Sequence, residues 1–499
     1  MDGGRLYPAA RIGLVGNMVP DPCLKRRIEG AEEKVIVFLQ AAIWTSGRFH
    51  VNFIGSVLAV GGRISGPIIS GLFITDMRLQ SAQLRFISER EQVMTMKRPI
   101  GVGLTGAALV LAGGLALAAG QYGPGVSDTE IKLGNTNPYS GPASSYGTVG
   151  KSEAAYFAMI NDQGGINGRK INFISRDDGY SPPKTLEQIR QLVEQDGVLA
   201  LFQTLGTPPN SVIREYLNDN KVPQLFVATG ADKWNDPKHF PWTIGWQPSY
   251  RIESRIYARY ILKNFPDAKI AVLYQNDDYG KDYLIGLREG LGDKAAKMIV
   301  ATQSYETTDA TADSQILSLR ASGANLMFNV AIPKFAAQAI RKIYDIGWKP
   351  IHILNNVSSS VGLVMRPAGP EKSTGIISAA FVKDPTDPQW QDTLEYKEWL
   401  AWMKKYNASG NVADVLTVFG YSAAQTMVAV LKQCGNNLTR ENLMKQAASI
   451  QDLKLPMLLP GITVATSADD FAPIKQMQLE KFDGNTWQLF GEVISGSGS

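Results

Sequence analysis

From residue 131 onward the chain alternates short apolar strands with one-sided helices, joined by loops of a few residues. The first run predicts strands over 131–136, 170–175, 198–204 and 223–228, with helices over 183–195 and 209–220. The helix before the second strand shows Ala154, Ala155, Phe157, Ala158 and Ile160 on one face and stops at Gly164-Gly165. A second run predicts helices over 250–264, 282–291, 312–321 and 334–347, interleaved with strands over 269–274, 298–304, 325–330 and 351–354. Strands alternating with helices through short connections demand parallel sheets covered on both faces. Two such runs predict two similar lobes. Beyond them come helices over 392–406 and 415–432, then a hairpin, 477–482 and 486–492, turned at Asp483-Gly484-Asn485. The last residues, 495–499, read as a disordered tail.

Upstream of this body, Met96-Lys97-Arg98 leads into an apolar run from Ile100 to Leu115, ending at Ala116-Leu117-Ala118. A positive start, an apolar middle and a small-residue end form a bacterial export signal. Such signals act at an N-terminus, so translation is expected to start at Met94 or Met96. Residues 1–95 are then a mis-assigned upstream extension, 96–118 the signal peptide, and cleavage falls near Ala118. The alternative is a membrane anchor, for which the run is short and Gly-rich, since a span needs roughly 20 apolar residues. Residues 51–74 are also apolar but are broken by Arg63 and rich in Gly. Gly101-Val-Gly-Leu-Thr-Gly106 matches a dinucleotide fingerprint only in letters, because it follows no strand and lies inside the signal.

The formal charge of +4 with no basic stripe gives no support for nucleic-acid binding. Of the two cysteines, Cys23 lies in the extension, so Cys434 has no partner for an internal disulfide. No cysteine stands immediately after the cleavage site, which points to a freely soluble periplasmic protein rather than a lipid-anchored one. His239, in a Pro-rich loop, and His352, inside a strand, read as structural. No HExxH, CxxC, GxxxxGK or GxSxG pattern occurs in the mature chain, so no enzyme, cofactor or metal site is expected. The pairs Asp177-Asp178 and Asp277-Asp278 read as turn and capping residues.

Parallel sheets place ligands beyond the carboxyl ends of their strands, where helices begin with free N–H groups. Three such loops carry hydroxyls and Gly: Ser144-Ser145, Thr204-Leu205-Gly206-Thr207 and Thr229-Gly230-Ala231. Together they predict a donor wall for an anion.

Five segments occur in order: Asn137-Pro-Tyr-Ser-Gly-Pro-Ala-Ser-Ser-Tyr-Gly147, Ile166-Asn-Gly-Arg169, Asp177-Asp-Gly-Tyr-Ser-Pro182, Asp278-Tyr-Gly-Lys-Asp282 and Tyr421-Ser-Ala-Ala-Gln425. In them the chain resembles the branched-chain amino-acid type of periplasmic solute-binding protein that serves ABC transporters, from about residue 127 to 494. The resemblance implies a type I periplasmic binding fold, an α/β flytrap of two Rossmann-like lobes joined by three hinge crossings. Those crossings are expected near 245–247, near 380–382 and after Leu455. Lobe one is then 127–246 plus 382–456, and lobe two 247–381 plus 457–494. The implied ligand-binding residues are Tyr139, Ser144 and Tyr146, then Leu205, Gly206 and Thr207, then Thr229, Gly230 and Ala231, with Tyr279 closing from lobe two. Trp246 and Phe381 join them by their position near the hinge. The implied partners are a small carboxylate ligand and an inner-membrane ABC permease, served by a monomer. A ligand-sensing module for a membrane receptor is the alternative.

One departure stands out. Relatives that bind amino acids present an acidic side chain after the strand corresponding to 351–354, whereas this chain has Asn355-Asn356-Val357-Ser358. Asn356 is therefore expected at the site in place of an acid. A buried ammonium without a counter-charge costs several kcal/mol. The expected ligand is a branched-chain amino acid or an aromatic or keto acid, with the missing acid favouring the latter. Asp277 or Asp278 would have to reach the cleft to restore the amino-acid reading.

Overall fold

The computed structural model describes residues 42–45, 48–51 and 120–496. Most of the upstream extension, the export signal and residues 497–499 therefore lie outside the described residues. A short antiparallel hairpin, Ala42–Thr45 against Arg48–Val51, belongs to a separate unit, Met1–Ala108.

The main body holds two sheets. Strands β1 (Glu130–Asn137), β2 (Lys170–Asp177), β3 (Ala200–Phe202), β4 (Gln224–Val227) and β5 (Thr243–Gly245) pair in the order β2-β1-β3-β4-β5, all parallel. The second sheet repeats that order with β6 (Ile270–Gln275), β7 (Ile299–Tyr305), β8 (Leu326–Val330), β9 (Ile351–Leu354) and β10 (Ile377–Ala380). An antiparallel hairpin, β11 (Gln476–Phe482) and β12 (Trp487–Ser495), extends its far edge from β10. Strands β3, β4 and β8 are buried along their whole length, as expected of central strands covered on both faces.

Helices start where the chemistry places caps. Ser249 accepts from Ile252 N–H at 3.3 Å to open α4, Tyr250–Asn264. Asp277 likewise accepts from Gly280 N–H at 3.2 Å to open α5, Asp278–Leu291, four residues before the expected start. In lobe one, α1 is Gly147–Asp162, α2 Pro182–Arg190 and α3 Thr207–Asp219. Helix α3 begins two residues early because Gly206, at φ 99°, turns the chain and Pro208-Pro209 fit its first turn. Strands β5 and β10 were not anticipated from the sequence. They are short, and small residues such as Gly245, Ala379 and Ala380 give them no pattern.

After β5 the chain crosses to α4 on the second sheet, and after β10 it crosses back. The returning chain forms α6, Leu394–Tyr406, and α7, Val415–Cys434, which pack on α1. Among the described residues only α7 is long and apolar enough to span a membrane, and most of it is buried in this core. Residues 457–459 run beside the second crossing: Lys383 N–H donates to Met457 O at 2.9 Å and Leu459 N–H to Phe381 O at 3.0 Å. The chain then returns to lobe one, where Val464 pairs with Leu453 and Phe471 N–H donates to Asn235 Oδ1 at 2.6 Å, before it enters β11.

In lobe two, α4 and α5 approach so closely that a Cβ on Gly286 would lie 2.6 Å from Arg251 Cα and 2.7 Å from its carbonyl oxygen. Backbone cannot yield as a side-chain tip can. Gly286→Ala is expected to lower unfolding free energy by about 1–3 kcal/mol despite alanine's better helix propensity, measured by urea denaturation.

Candidate functional site

The carboxyl ends of both sheets face one cleft. The lobe-one lining is Tyr146 and Val149 after β1, Tyr180 after β2, Leu205 and Gly206 after β3, and Ala228 after β4. The lobe-two lining is Tyr250, Tyr279 after β6, Ile332 after β8, Asn356 and Val357 after β9, and Phe381 and Val382 after β10. Gln247 in the first crossing and Val415, Leu416 and Phe419 at the start of α7 complete the wall. The cleft encloses about 670 Å³ of empty space, its opening to solvent included. No charged side chain lines it.

Aromatic rings form its apolar end. Phe381 and Phe419 both lie edge-on to Trp246, at centroid distances of 5.8 and 4.8 Å. Trp246 is fully buried behind them, its indole N–H donating to Thr426 Oγ1 at 3.0 Å. On the lobe-two side Tyr250 stacks on Tyr283 at 4.8 Å, and Tyr279 stands edge-on to Tyr250 at 5.1 Å. The orientation of the Asn355 amide that satisfies both its atoms accepts Tyr279 O–H at 2.7 Å and donates to Asn329 O at 3.0 Å.

The expected donor wall is a buried hydroxyl cluster one layer behind the lining. Thr207 Oγ1 and Thr229 Oγ1 are 2.5 Å apart, and Tyr250 Oη is 3.3 Å from Thr229. Ala231 N–H and Trp234 Nε1–H both donate to Thr229 Oγ1 at 3.4 Å. With those donors on its lone pairs, Thr229 gives its own proton to Thr207 or Tyr250. The relay reaches the cleft at Tyr250, which lines it. Thr207 also opens α3, so its N–H has no helical carbonyl to reach, and Pro208 and Pro209 have no N–H at all. Gly230 supports this arrangement: its carbonyl accepts Tyr250 N–H at 2.7 Å, and a Cβ there would lie 2.8 Å from the Tyr250 ring.

Of the other expected residues, Tyr146, Leu205, Gly206, Tyr279, Asn356 and Phe381 line the cleft. Half-buried Tyr139 instead bonds Ser175 Oγ at 2.5 Å, and Ser144 sits on the exposed face of its loop. Asp177 organises that loop, accepting from Tyr139 N–H at 2.9 Å and Ser140 N–H at 3.1 Å. Neither acid of the later pair lines the cleft, since Asp277 caps α5 and Asp278 pairs with Lys233 at 2.7 Å. His352 is buried with Nε2 3.3 Å from Asn329 Nδ2, and burial pushes its imidazole down to about 3, so it stays neutral.

The lobes also touch directly. Tyr146 O–H donates to Val357 O at 3.2 Å. Beside it, Ser360 O–H donates to Asp414 Oδ1 at 2.8 Å, and Gly362 N–H to Ala413 O at 2.9 Å. Asp414 is the cap of α7, and burial pushes its carboxyl up to about 6.

Residues 130–486 match the family model described as periplasmic binding protein. This chain belongs to the periplasmic binding protein family. Leu/Ile/Val-binding protein homolog 1 of Brucella suis biovar 1 (strain 1330) is 25% identical over 342 residues, 66% of this chain and 85% of that protein. The structure is similar to a branched chain amino acid ABC transporter protein from Thermus thermophilus with bound valine. The TM-score is 0.67 at 16% identity, covering 74% of this chain and 98% of that one. A fatty acid ABC transporter substrate-binding protein from Thermomonospora curvata gives a TM-score of 0.64 at 21% identity, covering 75% and 95%. At these identities the likeness establishes the fold, a type I binding protein.

Sequence reading missed Val415, Leu416 and Phe419 of this binding protein because an apolar helix start is indistinguishable from core. A Cβ on Gly362 would meet Ala413 O at 3.0 Å and Asn411 Nδ2 at 2.4 Å across the lobe contact. Gly362→Ala is expected to weaken ligand capture about fivefold by disfavouring the closed form, with little change in unliganded stability, as read by calorimetric titration and thermal unfolding.

Proposed function

We propose that this protein captures a small amino acid with an apolar side chain between its lobes and hands it to an ABC permease. The observation that carries this reading is the chemistry of the cleft. One end is aromatic and aliphatic, with Phe381, Phe419, Val415 and Leu416, and the hydroxyl relay runs from Thr207 and Thr229 of lobe one to Tyr250 of lobe two. Across from it, Asn356 Nδ2 donates to Ala379 O at 2.6 Å, leaving its amide oxygen as the acceptor for a ligand N–H. A mostly apolar site with a few placed polar groups suits a small ligand of this kind. The family and the names of its relatives support the same class.

An aromatic or keto acid without the α-amino group is the second reading. The absence of a charged side chain from the lining favours it. In either case the protein works outside the cytoplasm, exported through the signal at 96–118, as a monomer whose closed form docks on the permease. Closure follows from the ligand's greater affinity for the two-sided site than for either lobe alone.

A thermal-shift panel of leucine, valine, phenylalanine and their keto acids tests this reading. A ligand at a hundred times its dissociation constant adds about 2.7 kcal/mol of stability. Stabilisation by amino acids is the expected result, and stabilisation by the keto acids alone would select the second reading. Stabilisation by none of these compounds would overturn both. Thr229→Val is expected to weaken the stabilising ligand by about 1 kcal/mol or more, through loss of the relay's central hydroxyl.

A further inference from the structure

Glu253 lies on α4, one turn after the cleft residue Tyr250. Its side chain is 2% exposed, yet it is a carboxyl among aromatic rings. Three donors converge on it: Tyr257 O–H at 2.8 Å and Asn356 N–H at 2.7 Å to Oε1, and Tyr283 O–H at 2.7 Å to Oε2. None of the ion pairs among the described residues includes it. Arg251, two residues earlier, is engaged by Asp282 at 3.0 Å. The other titratable groups acting on this cluster are Tyr250 and Tyr279, which face Tyr283, and the buried carboxyl of Glu480 on β11, on which Asp384 and Asp387 act in turn; none of them carries a positive charge. A carboxyl held by three donors and no cation is available to a positive charge arriving from elsewhere, and Asn356 joins it to the cleft.

We infer that Glu253 is the acidic element of the ligand site, a positioning residue acting through Asn356 that selects ligands bearing an ammonium group over the same skeleton without one. The inference rests on the proposed capture of a small carboxylate. It accounts for a lining without charge: the counter-charge sits one layer behind, where apolar surroundings screen it little. Lobe one offers donors to a carboxylate, while lobe two sets an amide oxygen above a buried acid. The two ends of a zwitterion find complementary surfaces on opposite lobes.

The arrangement also fixes a pH dependence. Burial pushes Glu253 up to about 7, against the three hydrogen bonds that lower it. An ammonium neighbour favours the ionised form. Binding of an amino acid is therefore strongest above that value, weakens as pH falls through it, and releases a proton there. A keto acid, carrying only negative charge, follows the opposite trend.

Calorimetric titrations with L-leucine and 4-methyl-2-oxopentanoate at pH 5.5 and 8 test this on the unaltered protein and on Glu253→Gln. The unaltered protein is expected to bind leucine about tenfold more weakly at pH 5.5 than at pH 8. Glu253→Gln is expected to lose that dependence and to bind leucine about tenfold more weakly at pH 8, with the keto acid unchanged or tighter. Equal losses for both compounds, or an unchanged leucine profile, would overturn the inference. Should that variant fail to fold, Tyr283→Phe removes one donor and is expected to move the pH midpoint for leucine upward, and an unmoved midpoint overturns the inference. A preference of the unaltered protein for the keto acid at pH 8 overturns the role of Glu253 while leaving carboxylate capture standing. Binding of neither compound overturns the functional reading and this inference with it.

Discussion

The two lobes are held in register where the second crossing pairs with residues 457–459 through a pair of backbone hydrogen bonds, Lys383 to Met457 and Leu459 to Phe381. This short ladder sets how the sheets face each other, and it places Phe381 at the cleft. Trp246, leaving the first crossing, packs against Phe381 and Phe419, so all three linked elements meet behind one apolar wall. Side chains on either sheet alone would meet water. Joined this way, the carboxyl ends of β1 to β5 and β6 to β10 become two halves of one site.

Closure draws on contacts that are individually modest, among them Asp232 N–H donating to Asp282 Oδ2 at 2.8 Å and Tyr250 N–H to Gly230 O at 2.7 Å. Tyr146 to Val357, Ser360 to Asp414 and Gly362 to Ala413 are single hydrogen bonds, each contributing on the order of 1 kcal/mol. The Lys233–Asp278 pair is exposed on its acidic side and adds less. Contacts of this size leave open and closed forms close in free energy, so a ligand bridging both lobes can decide between them. The neutrality of the cleft matters here too, because a charged lining would have to be desolvated on every closure, ligand or not.

Most strands and helices were legible in the sequence because a chain that buries both sheet faces must write them as apolar runs. The hairpin was legible from its turn at Asp483-Gly484-Asn485, and the α4 span, read from the strand–helix rhythm, coincides with the observed Tyr250–Asn264. The site was legible where loops follow strands, as at Tyr146, Leu205-Gly206 and Asn356. The hydroxyls of Thr207 and Thr229 were visible as residue types, but their mutual bond was not, since it joins loops 22 residues apart. Glu253 was invisible for a different reason. An acid in the first turn of a helix ordinarily faces water beside a favourable dipole. Only the tertiary placement of Tyr257, Tyr283 and Asn356 turns it inward.

The central claim is that the cleft between the lobes captures a small carboxylate with an apolar body. Mass spectrometry of the compound retained by the protein purified from the periplasm, released by denaturation and counted against the chain, tests it most directly. The account predicts one molecule per chain of an amino acid with an apolar side chain. Recovery of a polyol, a polyamine or a dicarboxylate in that ratio would contradict it.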